Sequence, residues 1–204
     1  MTAYVALGIA ALLTSGITMY SGFGLGTVLM PVFALFFPLE TAIAATALVH
    51  GANNLFKLSL VGAKADRGLV VRFGIPAILA AFAGAAAMGY VSHFGEIARY
   101  SVGSREAVVT PLKLALAGLM VFFAVFELVP RLRTLRFDRR YLVLGGLLSG
   151  FFGGFSGHQG ALRSAFLVKV GVSTEAFVGT NAVIGFLVDA MRLSVYAWMF
   201  LAAG

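Results

Sequence analysis

Ser156-Gly157-His158-Gln159-Gly160-Ala161-Leu162-Arg163-Ser164-Ala165-Phe166 is a polar, glycine-rich break set inside strongly apolar sequence. Water solvates such a segment on a loop, but hydrocarbon does not. At membrane depth its backbone must be buried in protein or line a cavity. An arginine at that depth is costly, and this marks it as a functional residue. A weaker break of the same kind occurs at Ser21-Gly22-Phe23-Gly24-Leu25-Gly26.

The surroundings place these breaks in a membrane. Of the 204 residues, 60% are hydrophobic and 11% are charged. Soluble domains carry about 25% charged residues, so this chain cannot cover a water-facing surface. There is no cysteine, which excludes disulfides and thiolate metal sites. The net charge is +7, but five of the 15 basic residues fall within 131–140, between apolar segments. That is the pattern of a cytoplasmic loop, which also meets anionic lipid head groups, and not of a nucleic-acid surface. No Lys or Arg precedes Lys57, so the N-terminus has no charged signal-peptide region.

The expected fold is all-α, a polytopic transmembrane helical bundle with short helices after glycine-rich breaks. Apolar segments are read at about 3–20, 25–37, 39–61, 73–92, 111–129, 141–155, 160–171 and from 173 to about 201. The segments at 25–37 and 160–171 fall short of the ~20 residues of a full span. Short segments in matching positions point to a transporter site built from discontinuous helices. Pro38 and Glu40 suit the start of one helix, and Ser173, Thr174 and Glu175 the start of another. Small residues throughout 80–87 allow close helix approach.

Two halves match in order. Ser15-Gly16 pairs with Ser149-Gly150, the 21–26 break with 156–160, Glu40 with Glu175, and Ala45-Thr46 with Gly179-Thr180. Five segments separate the two starts, so the second copy enters from the opposite side and the repeats are inverted. The expected organisation is a first repeat over 1–129, a basic cytoplasmic loop over 130–140 and a second repeat over 141–204. The second repeat has no counterparts of the segments at 73–92 and 111–129. Connections 62–72 and 130–140 are basic and 93–110 is neutral, which puts the N-terminus outside.

Candidate site residues cluster on helix faces. His50, Asn53, Asn54 and Lys57 follow i, i+3, i+4, i+7 and share one face. The amides suit interhelical hydrogen bonds, with Lys57 reaching toward the cytoplasmic interface, and Asn53 and Asn54 also suit a substrate. Thr180, Asn181, Asp189, Arg192 and Tyr196 lie on the last segment. Asp189 and Arg192, at i, i+3, form either a structural ion pair or a coupling switch. In the main break, Gly157 and Gly160 free backbone N–H groups for an anion. Ser156, His158 and Gln159 add side chains there, and Arg163 adds a charge shaped for oxyanions. Glycine packing and a snorkelling arginine are the plain alternative. Lys169 is read as interfacial. His158 has no second His or Cys nearby, so no metal and no cofactor are expected. Gly22-x-Gly24-x-Gly26 follows no strand, and no catalytic constellation is spaced for an enzyme.

Ser21-Gly-Phe-Gly-Leu-Gly26 with Met30-Pro31, Ala45-Thr46 and the repeat at 149–180 resemble the sulfite exporter TauE/SafE family of membrane permeases. The second break resembles a subgroup with a Gly-His-Gln-Gly-Ala-Leu-Arg-Ser pattern. The resemblance implies secondary transport of sulfur oxyanions or organosulfonates across a bacterial inner membrane, driven by an ion gradient. The anion is expected on Ser21, Gly22, Gly24, Gly26, Thr46, Asn53, Asn54, Ser156, Gly157, His158, Gln159, Gly160, Arg163, Thr180 and Asn181, with Asp189 and Arg192 for coupling. The expected partners are a small anionic substrate and membrane lipids, with no nucleic acid. The shortened second half also suits assembly with another subunit, a homo-oligomer included. The alternative is a non-transporting membrane assembly or lipid-binding subunit.

Overall fold

The computed structural model describes residues 2–21, 24–103 and 105–203. The helices are α1 (Thr2–Ser21), α2 (Leu25–Ala34), α3 (Leu39–Val61), α4 (Arg67–Leu69), α5 (Ile75–Ser92), α6 (Pro111–Leu128), α7 (Pro130–Arg133), α8 (Leu142–Ser156), α9 (Gly160–Leu167) and α10 (Thr174–Ala203). Strands β1 (Ala98–Val102) and β2 (Arg105–Val109) form a small antiparallel hairpin. The all-α expectation holds for the membrane part.

Two local features differ from the sequence reading. The helix expected from 73 begins at Arg67, because Asp66 caps it by accepting from Leu69 N–H at 2.9 Å. A π turn, Val70–Gly74, then joins α4 to α5. The connection at 93–110 carries the β-hairpin, where Arg99 donates to both Glu96 (2.7 Å) and Glu106 (3.0 Å). These bonds raise the Arg99 pKa above its ordinary value, Glu96 acting most strongly.

Among the described residues, three helices are long and apolar enough to cross a membrane: Arg67–Ser92, Pro111–Leu128 and Thr174–Ala202. Helix α3 has 23 residues, about 34 Å of length, but its polar face lowers its hydropathy. It solves this by orientation: His50, Asn54 and Lys57 are buried while Leu48, Leu55, Phe56 and Leu60 are exposed.

Helices α5 and α8 run parallel in backbone contact. A Cβ at Gly146, Gly150 or Gly154 would overlap the carbonyl of Phe73, Ala77 or Ala81, respectively. The glycines recur every fourth residue on one face, which removes the side-chain layer between the helices. Helix α10 runs parallel to α5, with Ile184 at Gly74 and Met199 at Gly89. It is antiparallel to α3, with Asp189 at Gly51 and Gly179 at Val61.

The short segments do not cross. After Gly157, α9 turns back along α8. The Ser149 hydroxyl donates to the Gln159 carbonyl at 3.1 Å, Phe166 covers Gly145, and Phe137 N–H reaches the Ala165 carbonyl at 3.2 Å. Helices α8 and α9 therefore make a re-entrant hairpin entering from the face of the 130–140 connection. Helices α1 and α2 make another. Thr18, near the end of α1, meets Asn53 and Lys57 in the later half of α3. Leu7 instead shares a cluster with Phe33 and Ala42. The first hairpin thus enters from the opposite face. The tips meet: a Cβ at Gly26 would lie 2.9 Å from the Gly157 carbonyl oxygen. With both hairpins re-entrant, the two basic connections still share one face and the N-terminus lies on the other.

The backbone contact at Gly150 generates a prediction. Gly150→Val should overpack α5 against α8, costing at least about 1–3 kcal/mol and lowering the melting temperature in detergent. Gly118→Ala, where nothing lies within 4 Å, should leave it unchanged. Equal melting temperatures for both variants would contradict the parallel contact.

Candidate anion site between two hairpin tips

A carboxylate in the apolar interior is tolerable only when donors surround it. Asp189 is fully buried; it accepts two hydrogen bonds and has two basic side chains against it. Its Oδ1 takes Arg192 Nη2 at 2.8 Å and Gln159 Nε2 at 3.0 Å. Its Oδ2 takes Asn54 Nδ2 at 2.7 Å and faces His50 Nδ1 at 3.4 Å. One side chain of α10 thereby ties together α3, the second break and its own next turn. Arg192, also fully buried, donates through Nη1 to the Gly153 carbonyl at 3.2 Å, and the Tyr196 hydroxyl donates to the Gly154 carbonyl. The last carbonyls of a helix lack internal partners; Tyr196 satisfies the one at Gly154, while Arg192 adds a second donor to the Gly153 carbonyl, which already accepts from Gly157 N–H at 3.0 Å. Gly157 terminates that helix in the left-handed region, φ 83°.

Arg163 projects from the first turn of α9 and is buried. Its Nε donates to Asn181 Oδ1 at 2.7 Å and its Nη1 to Gln159 Oε1 at 2.9 Å. Both acceptors are neutral amides; among the described residues no carboxylate pairs with it. Lys57 is similar. Its Nζ donates to the Thr18 carbonyl at 3.0 Å, and no described carboxylate answers it.

These two cations line one cavity of about 170 Å³. Gly24, Gly26, Gly157 and Gly160 form its backbone walls, with Asn53, Asn54 and Asn181 adding amides and His50 and His158 adding imidazoles. Helix α2 begins at the left-handed Gly24, φ 101°. Both return helices therefore start at the cavity, and their first N–H groups add positive potential there. The His158 ring stacks on Phe123, centroids 5.2 Å apart, with Nδ1 3.0 Å from the Ser156 hydroxyl; its Nε2 has no partner among the described residues. No described group of three or more His, Asp or Glu is placed to hold a metal ion.

The residues singled out from the sequence divide into three groups. Gly24, Gly26, Asn53, Asn54, Gly157, His158, Gly160, Arg163 and Asn181 line the cavity. Ser156, Gln159, Asp189 and Arg192 stand behind it and hold the lining residues. Thr46 and Thr180 are elsewhere: the Thr46 hydroxyl donates to the Ala42 carbonyl at 2.8 Å, and Thr180 Oγ1 accepts from Asp66 N–H at 2.9 Å. Gly22 and the side chains of Ser21 and Lys169 lie outside the described part. Thr18, Thr27 and Glu127 line the cavity without having been singled out. Thr27 donates to Glu127 Oε1 at 3.1 Å. The available signal for Glu127 was a lone carboxylate in the apolar stretch of α6. Lys57, read as reaching toward the cytoplasmic interface, lines the cavity.

Neither a curated protein nor a solved structure is matched by this chain. A family model described as "Sulfite exporter TauE/SafE" matches residues 6–204. With nearly its whole length matched and its apolar helices arranged around a cationic centre, the chain belongs to the sulfite exporter TauE/SafE family of multi-pass membrane permeases.

Proposed function

We propose that this protein is a secondary transporter of small sulfur oxyanions, sulfite or organosulfonates, which bind between the two hairpin tips. The observation that carries the reading is the cavity itself. Lys57 and Arg163 both face it without a carboxylate partner, beside three amides and two helix N-termini. A desolvated cation pair of this kind demands an anion, and the guanidinium fork fits an oxyanion's geometry. A volume of about 170 Å³ holds a small oxyanion with part of its water shell.

The lining residues of α3 and α10 fall within 50–57 and 174–182, the halves nearer the basic connections. The positive-inside rule makes that face cytoplasmic, so this form faces inward, in a bacterial inner membrane. Two re-entrant hairpins entering from opposite faces support inverted repeats, and alternating access then shifts one tip past the other. Asp189 and Arg192, expected as coupling residues, suit a positioning role better, since two amides and the Arg192 guanidinium already engage the carboxylate.

Arg163→Ala should lose sulfonate binding by at least tenfold in calorimetry on purified protein, with its elution profile in detergent unchanged. Unchanged affinity would refute the site. Asp189→Asn should act differently, leaving Arg192 buried without a counter-charge at a cost of about 3–5 kcal/mol. The check is thermal melting in detergent, where a wild-type melting temperature would contradict the hub. Proteoliposomes that neither bind nor move sulfite, thiosulfate or a sulfonate would favour a non-transporting membrane subunit.

A further inference from the structure

We propose that Glu127 is the proton-binding site that couples anion movement through this cavity to proton movement. The proposal rests on the anion-transport reading and assigns it a coupling group.

Glu127 is the one carboxylate among the described residues that line the cavity. It is half-buried and accepts a single described hydrogen bond, from Thr27 on α2. Its second oxygen is turned toward Gly24, 3.9 Å from where a Cβ would stand. Among the described residues it forms no ion pair. Asp189 makes the contrast, because its two oxygens accept from Asn54 and Gln159 and also pair with the Arg192 guanidinium. A carboxylate held that firmly keeps its charge, whereas one held by a single hydroxyl can exchange a proton. Nor does Glu127 serve its own helix. It lies in the last turn of α6, where the helix end already carries partial negative charge and a carboxylate is disfavoured.

The surroundings define what a proton does there. Around the cavity, α3 contributes His50 and Lys57, the second tip contributes His158, and α9 contributes Arg163. Among the elements packed on α6, α2 carries no ionisable side chain, α5 carries only Tyr90, and α7 carries Arg131 and Arg133. With Glu127 ionised, the cavity's positive charge is partly cancelled and an entering anion meets a like charge. With Glu127 protonated, that repulsion vanishes and the two cations are left to the anion. Linkage makes the effect reciprocal: a bound anion raises the carboxylate's affinity for its proton by the same factor. Proton and anion are therefore taken up together. The Thr27 bond also joins this carboxylate to the first turn of α2, so its protonation is felt at the tip of the first hairpin.

Methanesulfonate is the probe, because its charge stays constant from mildly acid to mildly alkaline pH. Binding to purified wild-type protein should weaken by up to tenfold per pH unit above the titration point, as for one linked proton. Glu127→Gln, whose amide oxygen still accepts from Thr27, should bind with an affinity that no longer varies with pH. In proteoliposomes holding a trapped pH indicator, wild type should show methanesulfonate-driven proton movement. Glu127→Gln should move the anion without it. Infrared difference spectra at constant pH should show a protonated-carboxyl band on anion addition in wild type and none in the variant. Retained pH dependence or proton movement in Glu127→Gln overturns the proposal. So does a sodium requirement that the variant abolishes. Wild type that binds no anion at any pH sinks the transport reading together with this one, while pH-independent binding by wild type sinks only this one.

Discussion

A single buried carboxylate organises this molecule. Asp189 stands in apolar surroundings where an uncompensated charge is prohibitive, so every group that neutralises it must stay in place. Arg192 comes from the next turn, Gln159 from the second break, and Asn54 with His50 from α3. The cost of breaking any of these contacts is what holds irregular backbone at membrane depth. Tyr196 extends the same logic by occupying the Gly154 carbonyl where α8 stops, and Arg192 adds a second donor to the Gly153 carbonyl.

The cavity lined by Lys57 and Arg163 is the far side of that arrangement. Gln159 illustrates the connection: its amide nitrogen serves Asp189 while its amide oxygen receives Arg163. An amide is suited to this post because it donates and accepts from one planar group. The anionic hub and the cationic cavity are thus joined by one neutral side chain that keeps their charges apart. Arg163 has its direction set by Gln159 and Asn181 without being neutralised by either.

Much of this was legible in the chain. The boundaries of α3 follow from Pro38, Glu40 and the run to Val61, and the polar face at 50, 53, 54 and 57 was visible as spacing. Gly157 and Arg163 announced themselves as polar features in apolar sequence. Pairwise matters were not legible. Thr46 and Thr180 read as pocket residues because they occupy matched positions after the two breaks, yet backbone groups take both hydroxyls. The spacing of glycines 146, 150 and 154 is present in the sequence, but nothing there says that α5 lies against it. Glu127 lies next to a basic connection and passes for an ordinary interfacial carboxylate; only the fold brings Thr27 and Gly24 to it, 100 residues away in the case of Thr27. The hairpin at 98–109 was hidden because its polar residues describe a loop equally well.

The glycine contacts between α8 and α5 also divide the molecule mechanically. Backbone lies on backbone at three successive turns, with no side chains between to change rotamer and absorb a shift. The second hairpin is therefore fastened to α5, and α10 rides on the same helix. Among the described residues the first hairpin has no such rail: it meets α3 through side chains such as Leu29, Phe33 and Val49. Although the two hairpins mirror each other in outline, one is part of the frame and the other is the piece with compliance. The asymmetry between the tips is one of stiffness as well as charge, with the arginine on the rigid side.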